Sequence, residues 1–146
     1  KGLTEVIAKA KGCRKVIPLP VSVPVHTSLM QSAADRLAAD VAGVPMKDLT
    51  VPLINNVEAK SIRSAAEVRT SLVRQLASSV LWEESVRALI QMGMHTLVEV
   101  GPGKVLSGLA KRIAPELRLF NVQDRMSLAA TVEALAVGVS KEKSRL

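Results

Sequence analysis

Apolar, β-branched runs alternate along this chain with segments whose apolar residues recur at helical spacing. This alternation limits the fold more than any other feature of the sequence. We predict strands at Lys15–Val23, Val51–Asn55, Thr96–Val100 and Leu117–Val122, and helices at Leu3–Ala10, Thr27–Val41, Ala65–Ala77, Leu81–Met92, Lys104–Ile113 and Ser127–Val137. Uniformly apolar strands separated by helices are typical of a parallel sheet covered by helices. The sequence therefore predicts an α/β fold.

The composition fits a single aliphatic domain. The chain has 146 residues, 48% of them hydrophobic, and its aromatic side chains are those of Trp82 and Phe120. The core must therefore be built mainly from aliphatic residues. Cys13 is the only cysteine, which excludes an internal disulfide and favours a reducing, cytoplasmic location.

The charge balance indicates acidic partners. Twenty basic residues against 13 acidic ones give a net charge of +7, which attracts nucleic acid, anionic lipid, phosphorylated ligands or an acidic protein. Lysine and arginine are scattered, and few aromatic side chains are available to stack on bases. We therefore expect no nucleic-acid partner.

The chain also lacks the pattern of a membrane protein. The longest uncharged run, Val16–Ala34, has the length of a membrane span but contains Pro18, Pro20 and Pro24. A spanning helix tolerates such residues badly, so we predict no membrane segment. The first residues show no apolar signal-peptide core. Since the chain starts at Lys1 without an initiator methionine, we expect it to be part of a longer polypeptide.

The chemistry of an α/β fold is expected at the carboxyl ends of its strands. The segments predicted at that edge are Val23–His26, Asn55–Asn56 and Gly101–Gly103. The Gly-Pro-Gly turn resembles a phosphate loop only in part. Leu106 stands where a dinucleotide fingerprint needs glycine, and Val105 follows Lys104 where a P-loop needs serine or threonine. We therefore interpret this turn as a tight strand-to-helix connection.

His26 is the residue whose position fits catalysis best. It follows a proline-rich strand and precedes a helix, where a histidine can act as a general base at neutral pH. A structural histidine that makes local hydrogen bonds fits the same position equally well. His95 and Cys13 lie far from it in sequence and form no metal-binding pattern with it. The chain contains no G-x-S-x-G nucleophile elbow.

Several motifs in one order carry a family resemblance. They are Pro18–Met30, Val51–Val57, Leu72–Leu76, Val80–Trp82 with Ser85–Val86, Val98–Leu106 and Gly108–Ile113. Together they resemble the bacterial malonyl-CoA:acyl carrier protein transacylases, and the resemblance extends over roughly residues 3–137. It implies transfer of a malonyl group from coenzyme A to acyl carrier protein by a serine–histidine ping-pong mechanism.

The resemblance also implies roles for particular residues. His26 matches the histidine that deprotonates the nucleophilic serine, and Gln75 matches the glutamine whose main-chain carbonyl orients that histidine. Asn55 and Asn56 would line the site. Coenzyme A would enter as a thioester substrate, with no separate cofactor. Val25 replaces the more usual serine, which affects details of the pocket.

The family's nucleophilic serine and its carboxylate-binding arginine both belong to the N-terminal half, which this chain lacks. We therefore expect residues 1–20 to be the end of a small ferredoxin-like subdomain. Residues 21–139 would form the C-terminal part of the hydrolase-like acyltransferase domain, and residues 140–146 a polar tail. The chain alone is predicted to be inactive.

Two alternatives and one surface remain open. The chain could belong to a polyketide-type acyltransferase with another acyl donor, or it could be a non-catalytic fragment that associates with itself through exposed strand edges. Lys111 and Arg112 could contact the acidic carrier protein or the coenzyme A phosphates. A solvated helix face explains these two residues equally well.

Overall fold

The structure, a computed structural model, describes residues 2–9, 12 and 21–143. Within these residues the helices are α1 (Gly2–Lys9), α2 (Gln31–Ala42), α3 (Ala65–Arg74), α4 (Trp82–Gln91), α5 (Val105–Ile113) and α6 (Arg125–Lys143). The strands are β1 (Leu53–Ile54), β2 (Ser61–Ile62), β3 (Thr96–Val100) and β4 (Arg118–Val122). The predicted α/β class is confirmed.

The centre of the fold is a β–α–β unit made of β3, α5 and β4. The two strands pair in parallel, with register from Thr96 opposite Arg118 to Val100 opposite Val122. Parallel pairing requires a crossover connection, which α5 supplies. The predicted bounds of both strands and of α4 and α5 agree with the structure to within one residue, because each has a clear apolar pattern.

The core lies between this unit and α4. Its buried residues are Val86, Ala110, Ala114 and Leu117, with Trp82, Ile90, Leu97, Ile113 and Leu119 packed around them. Except for Trp82 these side chains are aliphatic, as the composition predicts. Helix α6 packs against β4 and buries Thr131.

The predicted strand Val51–Asn55 differs from expectation in two ways. Only Leu53 and Ile54 are extended, and they pair antiparallel with Ser61 and Ile62, a strand that the sequence analysis does not predict. The cause is a turn: the main-chain N–H of Asn55 donates to Lys60 O, and that of Ala59, which has a φ of 52°, donates to Asn55 O. The chain reverses there instead of crossing over to a parallel neighbour.

Several helix ends also differ from the prediction. A 3₁₀ turn, Ser28–Met30, precedes α2 where a continuous α-helix is predicted from Thr27. Helix α3 begins at a capping box formed by Ser64 and Glu67 and ends three residues before the predicted Ala77. Helix α6 continues through Lys143, so residues 140–143 of the predicted polar tail are helical.

Part of the N-terminal prediction lies outside the described residues. This concerns Cys13 and residues 15–20 of the strand predicted at Lys15–Val23; residues 21–23 of that segment are not a strand. The assignment of residues 1–20 to a small subdomain stays a prediction. In the described ranges, no helix combines the length and the apolar character needed to cross a membrane.

Candidate active site

The best candidate for a site is a loop, Val23–Met30, which we call the histidine loop. Local hydrogen bonds shape it, since Val25 N–H donates to Val23 O at 2.8 Å and the Thr27 hydroxyl donates to Pro24 O at 2.7 Å. At its centre His26 has a φ of 63°. Non-glycine residues rarely adopt this left-handed conformation, and it persists only where surrounding contacts hold it.

Those contacts come from the end of α3. The main-chain N–H of His26 donates to Leu76 O at 2.9 Å, and the ring atom Nδ1 lies 2.8 Å from Gln75 O. A carbonyl oxygen only accepts, so Nδ1 must carry the proton in this contact. The neutral ring then has an unprotonated Nε2, which can accept a proton from a nucleophile.

Both carbonyls are available because α3 ends immediately before them. The last carbonyls of a helix have no partner inside the helix and need one elsewhere. Gln75 caps α3 with its N–H bound to Ser71 O, and its own carbonyl faces the imidazole. The negative end of the helix dipole is therefore directed at His26, and it stabilises positive charge that develops on the ring during proton transfer.

The structure thus brings His26 into contact with Gln75, which lies 49 positions away in sequence. The contact is made by the main-chain carbonyl of Gln75. This is the contact that the family resemblance implies. Their catalytic roles remain predictions.

The two asparagines lie in and beside the turn between β1 and β2. Asn55 is buried, and its side chain binds Glu58 twice: Oδ1 accepts from the main-chain N–H of Glu58 at 2.8 Å and Nδ2 donates to Oε2 at 3.4 Å. Asn56 is half-buried, and its carbonyl accepts from Leu81 N–H at 2.8 Å. A role for either residue in lining the site remains a prediction.

An open cleft of about 420 Å³ lies between this turn and α3. Its polar lining includes Asn55, Glu58, Lys60, Thr70, Ser71 and Arg74. Glu58 and Arg74 form an ion pair across it at 3.3 Å. The hydrogen bond from Arg74, followed by the one from Asn55, holds the pKa of Glu58 below its usual value. The sequence alone does not indicate this pair, because residues 16 positions apart share no local pattern.

The Gly-Pro-Gly turn is a structural connection. Gly101 and Gly103 have φ values of 142° and 86°, which other residues adopt only with strain. Asn121 Nδ2 donates to Gly103 O at 2.6 Å. Glu99 accepts hydrogen bonds from the main-chain N–H groups of Leu106 and Ser107, at 3.1 and 2.8 Å. The Glu99 carboxylate therefore already pairs with main-chain N–H groups at the start of α5.

Metal binding has no support in the part of the chain that the structure describes. No group of three or more histidine, cysteine, aspartate or glutamate residues there could hold an ion. His95 is exposed at the start of β3, and its carbonyl accepts from Arg118 N–H at 2.9 Å.

Comparisons with known proteins find relatives that match most of this chain. A search of protein-family models finds no match. The malonyl CoA-acyl carrier protein transacylase of Salmonella typhimurium is 45% identical over 124 residues, which are 85% of this chain and 40% of that protein. The corresponding enzyme of Bacillus subtilis is 39% identical over 133 residues, or 91% of this chain and 42% of that protein.

Solved structures give the same result. An acyl carrier protein S-malonyltransferase from Vibrio cholerae superposes with a TM-score of 0.79 at 42% identity, over 86% of this chain and 41% of that one. A malonyl-transacylase in complex with its type II PKS acyl-carrier protein superposes with a TM-score of 0.84 at 41% identity, over 92% of this chain and 44% of that one.

Fold and sequence together define part of an α/β acyltransferase domain. More particularly, the chain is similar to proteins named malonyl CoA-acyl carrier protein transacylase and matches their C-terminal half. It spans about 40% of the length of the curated relatives it matches.

The carboxylate that caps α5 gives a prediction about pH. The Ser107 hydroxyl is the largest cause of the lowered pKa of Glu99, so Ser107→Ala should raise that pKa toward the usual glutamate value. A carboxyl whose pKa is lower in the folded chain adds stability above its unfolded pKa and loses it as the pH falls through the folded value. The variant should therefore be less stable than the wild type at pH 7, and the difference should shrink below about pH 4.

The pKa of Glu99 is measured by following its side-chain carboxyl carbon by NMR as the pH changes. Urea unfolding at pH 7 and below about pH 4 measures the difference in stability. Ser79→Ala, at an exposed serine outside α5, serves as the control and should leave the pKa of Glu99 unchanged. An unchanged pKa in Ser107→Ala would show that the capping contact is absent in solution.

Proposed function

We propose that this chain is the histidine-bearing part of an acyltransferase that moves a malonyl group from coenzyme A to acyl carrier protein. The observation that carries the proposal is the contact between His26 Nδ1 and Gln75 O at 2.8 Å. It leaves Nε2 of the neutral ring as a proton acceptor. The relatives named for this reaction support the substrates and the acceptor.

In the proposed first half-reaction His26 Nε2 takes the proton of a serine hydroxyl. The serine oxygen attacks the thioester carbonyl of malonyl-CoA, and the carbon–sulfur bond breaks as the imidazolium returns its proton to the departing thiol. In the second half-reaction Nε2 deprotonates the carrier-protein thiol. The resulting thiolate attacks the carbonyl of the malonyl-serine ester, and the ester carbon–oxygen bond breaks as the imidazolium returns the proton to the serine oxygen.

The serine in this scheme comes from the part of the relatives that this chain does not match. These 146 residues contain no nucleophile elbow, and the matched segment is only about 40% of each relative. The oxyanion-hole amides that accompany such an elbow would come from the same part. We therefore expect the chain alone to be inactive.

The neutral carbonyl of Gln75 takes the place of the aspartate in a Ser-His-Asp triad. It fixes the tautomer and orientation of the ring without adding a full negative charge next to it. The end of α3 adds a partial negative charge. The proposed mechanism therefore depends on geometry and dipoles more than on an ion pair.

The partner proposals rest on charge and on one solved complex. The net charge is +7, and a malonyl-transacylase of similar structure is seen in complex with its type II PKS acyl-carrier protein. That complex also keeps open the alternative of a polyketide-type enzyme with another acyl donor. The cytoplasmic location, which rests on the lone Cys13, stays a prediction.

Self-association of the isolated chain also stays a prediction. Among the described residues β3 pairs with β4 alone, and Val98 and Val100 on β3 are exposed. An open strand edge with apolar neighbours favours pairing with a second copy of the chain.

Covalent labelling tests the proposed function. The chain would be compared with a chimera in which the part of the Salmonella typhimurium enzyme that precedes the match is fused to this chain. We expect malonyl-CoA to add one malonyl group to the chimera and none to the chain alone, as read from intact masses. Parallel reactions with methylmalonyl-CoA and acetyl-CoA distinguish the polyketide-type alternative.

Within the chimera, His26→Gln should slow malonyl-serine formation by about 10²- to 10⁴-fold, the usual contribution of a general base. His95→Gln is the matched control and should keep the wild-type rate, because His95 is exposed and lies outside the histidine loop. Equal rates in the wild type and the His26 variant would contradict the proposal.

The basic end of α5 gives a separate prediction about the carrier protein. Lys111 and Arg112 are exposed in the last turn of α5, and Lys111 Nζ also donates to Pro115 O. If they contact the acidic carrier, the double variant Lys111→Glu/Arg112→Glu should raise the KM for carrier protein about three- to tenfold, since charges at a rim mainly affect encounter. Hydrolysis of the malonyl-enzyme should not change.

The matched control for this change is Arg36→Glu/Lys47→Glu, which alters the net charge equally at two exposed positions elsewhere. A rise in KM of the same size in both double variants would indicate a general charge effect. No change in either would favour the solvated helix face.

A further inference from the structure

The turn between β1 and β2 contacts residues 74–81 at two points. This segment contains the two carbonyls that bind His26. At the start of that segment Arg74 Nη1 lies 3.3 Å from Glu58 Oε1. At its end Leu81 N–H donates to Asn56 O at 2.8 Å. Between these two contacts lie Gln75 and Leu76, whose carbonyls bind the His26 ring and main chain.

Glu58 is itself held in place before it meets Arg74. Its main-chain N–H and one carboxylate oxygen bind the side chain of Asn55, which is 4% exposed. Its other carboxylate oxygen faces Arg74. The carboxylate of Glu58 thus contacts the buried side-chain amide of Asn55 through one oxygen and Arg74, the last residue of α3, through the other. A glutamate is already charged at neutral pH, and the hydrogen bonds from Arg74 and Asn55 lower the pKa of Glu58 further.

The end of α3 needs such a support. Gln75 is joined to the helix by one hydrogen bond, from its N–H to Ser71 O at 3.0 Å, and the next one, from Ala77 N–H to Arg74 O, is longer at 3.3 Å. Helix ends fray because their last carbonyls lack helical partners. A small shift of this turn would move Gln75 O away from the imidazole.

We propose that Glu58 and Arg74 are positioning residues for the catalytic histidine. The Asn55–Glu58–Arg74 chain of contacts fixes the carbonyl of Gln75, and this carbonyl fixes the Nδ1–H tautomer of His26. The inference rests on the proposed function for its catalytic meaning. It assigns the buried Asn55 to the support of the site, acting through Glu58.

The tautomer of His26 can be measured directly on the 146-residue chain. Long-range ¹H–¹⁵N NMR correlation distinguishes a protonated from an unprotonated ring nitrogen. At about pH 8.5, well above the usual histidine pKa of about 6.5, we expect His26 in the Nδ1–H form. The exposed His95 is an internal reference in every spectrum.

Glu58→Gln and Arg74→Gln should each lower the ratio of the Nδ1–H to the Nε2–H form of His26 by about two- to fivefold, the range that an exposed ion pair provides. Arg74→Lys, which keeps the charge, should retain most of the wild-type ratio. Arg87→Gln is the matched control, because it removes another exposed ion pair, with Glu83 on α4. It should leave the ratio unchanged.

The charge-exchanged variant Glu58→Arg/Arg74→Glu separates positioning from a loss of folding. Its ratio of the Nδ1–H to the Nε2–H form should be closer to that of the wild type than the ratio of either single variant. Thermal unfolding of all variants shows whether each one is folded. An unchanged ratio in both single variants, no recovery in the exchanged variant, or an equal loss in Arg87→Gln would each overturn the inference. Since this readout needs no acyl transfer, an inactive chimera with the expected ratios would contradict only the proposed function.

Discussion

The candidate site depends on two main-chain carbonyls at the end of α3. Leu76 O accepts from the backbone of His26, and Gln75 O lies 2.8 Å from its ring. The first contact holds a residue whose φ is 63°, and the second selects the tautomer that leaves Nε2 unprotonated. A helix normally leaves such carbonyls unpaired at its end. Here they determine both where the histidine lies and which of its nitrogens can accept a proton.

This arrangement explains why other features of the chain lie where they do. Helix α3 must stop at Arg74 for the next two carbonyls to be available, and the Ser64–Glu67 capping box sets its beginning. The turn after β1 contacts the same helix end, because Glu58 forms an ion pair with Arg74. It also contacts the segment after α3, because Asn56 O accepts from Leu81 N–H. The histidine is therefore supported through the end of α3 and through the segment that follows it.

How much of this was predictable varies with the length and pattern of each element. Helices α4 and α5 and strands β3 and β4 were predictable to within a residue, because each presents a continuous apolar pattern. The β1–β2 hairpin was not, since its strands have two residues each and its turn depends on the side chain of Asn55. His26 stood out through its position, but Gln75 acts through its carbonyl, which carries no signal in a side-chain pattern; only the family resemblance indicated it. Glu58 and Arg74 meet only after the chain has folded.

Hydrogen exchange at the main-chain amide of His26 tests the central claim most directly. This amide lies in a loop, where exchange is normally fast. If it donates to Leu76 O as the structure shows, its protection should approach that of the Gln75 amide at the end of α3, and the two should be lost together when α3 is destabilised. Exchange of the His26 amide at the rate of an unstructured peptide, with α3 still protected, would contradict the account.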